Sequence, residues 1–141
     1  MKRTPLEVLH LFALAVILCG CAGIFSGISY FDPTTYKNLT DLKVEVLALY
    51  DTFTGDSLNT SQIASIRLKL AQVYEYENGK GEKNKETREQ VKIIQNIFND
   101  HLNERLSGAK WNQPHLGNQK QIIAQAFDIA IQTEMLKNKN E

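Results

Sequence analysis

The stretch Pro33–Phe53, PTTYKNLTDLKVEVLALYDTF, decides how this chain folds. Its apolar residues Leu39, Leu42, Val46, Leu49 and Phe53 recur at steps of 3, 4, 3 and 4. Side chains three and four apart share one face of an α-helix, whereas strand side chains alternate between faces. The spacing therefore predicts an amphipathic helix, with Val44, Leu47 and Tyr50 widening its apolar side. Asp32-Pro33 supplies a capping carboxylate followed by a residue whose fixed φ suits a first helical turn. Gly55-Asp56 ends the segment.

The pattern returns three times. Ile63, Ile66, Leu70, Val73 and Tyr74 form a second stripe, capped by Thr60 or Ser61 and stopped at Gly79. A third helix is predicted from about Lys85 to Leu106, with Val91, Ile94, Ile97, Phe98, His101, Leu102 and Arg105 on or beside one face. A fourth is predicted from near Asn118, with Gln121 as a capping-box partner. Ile122, Ile123, Ala126, Phe127, Ile129, Ala130 and Leu136 carry its apolar side. KGEKNKE, beginning at Lys80, reads as a solvated loop, and MLKNKNE, beginning at Met135, as a frayed tail whose basic lean suits a helix C-terminus. No segment alternates apolar and polar residues long enough to claim a sheet. A single stripe is unstable in water, so the four must bury one another. The expected fold is all-α: a small antiparallel bundle of about four helices over residues 33–141, behind an N-terminal signal or membrane segment.

That N-terminal segment begins MKRTPLEVLH and continues LFALAVILCG. A positive start, an apolar run and small residues at its end form the pattern of a secretory signal. The charged start tends to stay in the cytoplasm, so the remainder is exported.

Leu18-Cys19-Gly20-Cys21 resembles the lipobox of bacterial lipoproteins. Leu18 stands three residues before the acceptor cysteine, Gly20 is the small residue beside it, and Cys21 is the acceptor. Cys19 departs mildly, since Ala, Ser or Thr is more usual there. The resemblance covers these four residues and the apolar run. It implies signal cleavage between Gly20 and Cys21, a diacylglyceryl group on Cys21 and an acylated new amino terminus. Ala22, rather than Asp, implies delivery to the outer membrane with the bundle on its periplasmic side. Several acyl chains, at about 0.8 kcal/mol per buried methylene, make a stable anchor where one is marginal.

A second reading of the same residues is open. Val8 to Phe31 contains no Asp, Glu, Lys or Arg, and a helix of about 20 apolar residues crosses a bilayer. Tyr30 and Phe31 would then sit at the far interface, and Gly23 and Gly27 would permit close helix pairing. Gly20, Gly23, Ser26 and Gly27 weaken that helix where an anchor would need it. The expected organisation is a signal over residues 1–20, a lipidated terminus and tether over 21–32, and the bundle over 33–141. In the alternative, residues 8–20 join the tether as a transmembrane anchor. Simple secretion is the third possibility, and all three place the bundle beyond the cytoplasmic membrane.

The chain of 141 residues balances 16 Lys and Arg against 16 Asp and Glu. Removing Lys2, Arg3 and Glu7 leaves 14 basic and 15 acidic residues, so no basic face for nucleic acid is expected. Both cysteines lie in the apolar N-terminal run, which excludes a disulfide framework in the bundle. The pair Cys19 and Cys21 has the spacing of a metal-binding CxC pair, but its apolar setting argues against that role. His101, beside Asp100 and near Glu104, lacks further ligands at zinc spacing, so neither a metal nor another cofactor is expected. Glu75, Glu77, Glu82, Glu86 and Glu89 flank a loop, and solvent would give them equal environments unsuited to acid/base work. No nucleophile arrangement or phosphate loop stands out. Trp111 either plugs one end of the bundle or anchors a partner. The expectation is a non-catalytic envelope protein that binds a protein partner. The alternatives are a single-pass anchored helical protein and a periplasmic binder of a small molecule or lipid.

Overall fold

Asp32 begins the first helix as its sequence predicts. Its Oδ1 accepts a hydrogen bond from the Thr34 N–H at 2.7 Å, and Pro33 follows in the first turn. In the computed structural model the described residues are 29–108 and 110–139, so the signal, Gly20 and Cys21 lie outside them. Four helices run through these residues: α1 Pro33–Asp51, α2 Thr60–Gly79, α3 Lys85–Ser107 and α4 Gln113–Met135. Short 3-10 turns, Thr52–Thr54 and Glu82–Asn84, lie in the first two connections. The described residues are all-α and form a small antiparallel bundle.

Each helix packs mainly on two neighbours, giving the ring order α1, α2, α3, α4. The alternating directions place both described chain ends and the α2–α3 turn together, the termini end. The α1–α2 and α3–α4 connections meet at the opposite end. The stripes become the core: Leu39, Leu42, Val46, Leu49 and Phe53 face Ile66, Ile94, Phe98, Ile123 and Phe127, all nearly free of solvent. Each such side chain contributes about 1.5–3 kcal/mol by leaving water.

Several details depart from the sequence reading. Val44 is exposed rather than part of the apolar face. Asn59, not Thr60 or Ser61, caps α2 by accepting from the Gln62 N–H at 3.0 Å. Gly81, rather than Gly79, makes the sharp turn after α2, at φ 77°, a left-handed conformation that favours glycine. α4 begins at Gln113 instead of near Asn118 because Asn112 caps it and Pro114 occupies its first turn. Ile122, Ile129 and Leu136 are exposed although their spacing suggested the core.

Candidate functional site

The termini end holds buried charge. Glu77 and Glu134 have no solvent exposure, which overturns the expectation that the carboxylates around this loop share one solvated environment. Each stands three residues before a lysine at the end of its helix. Glu134 Oε2 meets Lys137 Nζ at 2.6 Å, and Glu77 Oε2 meets Lys80 Nζ at 3.2 Å. Asn84 joins the pairs: its Nδ2 donates to Glu77 Oε2, and its Oδ1 accepts from Lys137 Nζ at 2.6 Å. The KGEKNKE segment is therefore partly an interior element, and Lys137 is buried rather than part of a frayed tail. Thr35 Oγ1 donates to Glu77 Oε1 at 2.6 Å.

This network also holds the start of the described chain. Asp32 N–H donates to Glu134 Oε1 at 2.7 Å, and Ser29 Oγ donates to Asn84 Oδ1 at 2.8 Å. Two backbone bonds reinforce it, from Ser29 N–H to Lys83 O and from Phe31 N–H to Asn138 O. Ser29 through Asp32 thus lie on the bundle. Burial acts to raise the Asp32 pKa, but hydrogen bonds from Lys80, Tyr76 and the Thr34 N–H, with the Lys80 charge, hold it well below the usual carboxylate range. Burial likewise acts to lower Lys80, and Asp32 and Glu77 outweigh it, so its ammonium is held above the ordinary lysine value.

A seam opens between α3 and α4. Its mouth, at the termini end, is a polar groove lined by residues including Lys83, Glu86, Thr87, Thr133 and Leu136. Further along, Ile93, Ile97, Ile122, Ala126 and Ile129 line an open apolar groove of about 260 Å³. Ile93, Ile122 and Ile129 are 52%, 46% and 56% exposed. Gln90 lies where the grooves meet and donates from Nε2 to Thr133 Oγ1 at 2.8 Å. Its Oε1 and the neighbouring Thr87 Oγ1 are buried without a hydrogen-bond partner. The seam is the surface whose chemistry suits binding. It went unread because Ile122 and Ile129 fit a core stripe; each precedes a core residue, Ile123 and Ala130, by one position, about 100° round the helix, which turns it outward.

The opposite end is closed by aromatics. Trp111 is only 5% exposed and makes edge-on contacts with Tyr50, Phe53 and His115 at centroid distances of 5.7, 5.0 and 4.8 Å. Its backbone N–H donates to Phe53 O at 3.0 Å. Arg105, buried beside it, donates from Nε to the same carbonyl at 2.8 Å and from a terminal nitrogen to Gly55 O at 2.6 Å. The carbonyls of Phe53 and Gly55, in and just after the turn that follows α1, are thereby satisfied.

His101 faces inward, with Nδ1 2.9 Å from the Tyr50 hydroxyl. Burial pushes its imidazole below the ordinary histidine value, against the pull of Glu104 and Asp100 and with a smaller contribution from His115. Burial pushes the Tyr50 phenol far above its usual range. Asp100 and Glu104 stay at the surface, where Glu104 meets His115 Nε2 at 2.7 Å. Among the described residues no three His, Cys, Asp or Glu side chains gather to hold a metal ion, and no helix is long and apolar enough to cross a membrane. Compared with protein-family models, curated proteins and solved structures, the chain matches none.

Proposed function

We propose that this chain is a lipoprotein of the bacterial envelope, anchored through Cys21, whose helical bundle binds a partner protein and catalyses no reaction. The lipobox-like Leu18-Cys19-Gly20-Cys21 supports the anchor and the location at the periplasmic face of the outer membrane. The observation that carries the binding reading is the open seam between α3 and α4. Three half-exposed isoleucines on two adjacent helices form a contiguous apolar strip, and such strips mark association surfaces. An open seam suits the apolar face of a partner helix, whereas a sequestered small molecule calls for an enclosed cavity. Anchoring would raise the local concentration of the bundle at the membrane, so a modest contact area would suffice for occupancy.

Site-specific photo-crosslinking in living cells tests the binding reading. A crosslinker in place of Ile93 or Ile129 should give an adduct of one discrete mass. The same group in place of Val44, still more exposed on α1, should not. Adducts at all three positions, or at none, would contradict a partner at the seam.

A further inference from the structure

We infer that the termini end of the bundle docks on the lipid surface, with the four helices standing away from the membrane. The inference rests on the proposed acylation of Cys21. Ser29 is fixed to the bundle by its bonds to Lys83 and Asn84. Only residues 22–28, AGIFSGI, separate it from the anchor cysteine. At 3.3–3.6 Å per residue, the chain from Cys21 to Ser29 spans at most about 28 Å. The termini end therefore stays within that distance of the bilayer. The linking residues carry no charge and include Ile24, Phe25 and Ile28, side chains that partition into a membrane interface rather than into water.

The end that this tether holds near the bilayer also exposes large apolar side chains. Leu136, at 77%, is the most exposed large apolar side chain among the described residues, and Met135 and Tyr30 beside the same end are more than half exposed. Among the described residues nothing covers them. The exposed Lys83, Lys85 and Lys139 at this end are matched by exposed Glu82, Glu86 and Glu89. The contact therefore draws on apolar insertion rather than on attraction to anionic headgroups, and it is insensitive to salt. Docked this way, the plugged end containing Trp111 points outward, and the α3–α4 seam runs along the membrane normal, open from the side.

The test uses the full chain, expressed in bacteria and extracted from their membranes in processed form. It is reconstituted in phosphatidylethanolamine/phosphatidylglycerol vesicles with or without brominated acyl chains. A polarity-sensitive dye is placed on Leu136→Cys at the termini end or Asp56→Cys at the plugged end; both positions are exposed, so folding is preserved. The dye at position 136 should shift to the blue and lose at least about two-fold more emission to bromine than the dye at 56, at low and high salt alike. With the dye moved to Met135→Cys, adding Leu136→Glu should reduce that quenching. Equal quenching at positions 136 and 56 while the vesicles retain an acylated chain would overturn the docking and leave the anchor standing. A mass spectrum lacking acyl groups on Cys21 would overturn both.

Discussion

Lys137 and Asn84 lie 53 residues apart in sequence, yet Lys137 Nζ donates to Asn84 Oδ1 at 2.6 Å in a site nearly closed to water. Through this contact the end of α4 meets the turn before α3, and the same Oδ1 accepts from Ser29. Asn84→Leu removes hydrogen bonds to two buried ion pairs at once. Hydrogen bonds to charged groups are worth about 1.5–3 kcal/mol each, so unfolding should ease by at least about 3 kcal/mol in urea titrations. Asn78→Ala, at an exposed position on the last turn of α2, should change stability by under about 0.5 kcal/mol.

The Glu134–Lys137 pair should behave as a unit. Lys137→Met leaves the Glu134 carboxylate with no exposure and no counter-charge, and should cost about 3–5 kcal/mol. Adding Glu134→Leu should recover most of that loss, less about 1–3 kcal/mol for the Asp32 N–H left without its acceptor. Additive losses in this double-mutant cycle would mean that the two groups do not compensate each other.

Trp111 should matter through its ring and not through its indole nitrogen. Trp111→Ala opens a cavity among Tyr50, Phe53 and His115 and should cost about 3–5 kcal/mol. Trp111→Phe keeps the edge-on contacts, and the Nε1 it removes has no hydrogen-bond partner. Its cost, read from thermal unfolding, should be less than half that of the alanine variant.

Stability should fall on acidification through the histidine range. The folded chain holds the His101 proton less tightly than the unfolded chain, where the imidazole titrates near 6.5. Below that pH the unfolded state binds more protons, so protonation favours unfolding. The melting temperature should drop between roughly pH 7 and pH 5, and His101→Gln should flatten that drop. Asp32, held low by its partners, adds a separate loss below about pH 4, which the His101 variant should retain.

The bundle was readable because four apolar stripes repeat at helical spacing, and spacing survives without knowledge of the partners. Leu39, Leu42, Val46 and Leu49 had one reasonable place to go. The buried network was not readable. Glu77 and Glu134 each sit near a lysine at a helix end, a pattern that most often marks a solvated surface pair. Only the convergence of the C-terminal ends of α2 and α4, which run in the same direction, on Asn84 puts them inside. α4 starts at Gln113, ahead of the Asn118 that the capping-box pattern favoured, because Asn112 caps a helix that takes proline in its first turn. The seam was misread because Ile122 and Ile129 border a core stripe, and periodicity alone does not say where an apolar face ends.

Metabolic labelling with a tagged fatty acid tests most directly the proposed attachment of the bundle to a membrane through Cys21. Wild-type chain should take up the label and, by mass, lack residues 1–20. Cys21→Ala should take up none and remain uncut. Label retained by the Cys21→Ala chain, or an unlabelled wild-type chain still carrying its first 20 residues in the membrane, would contradict acylation at Cys21.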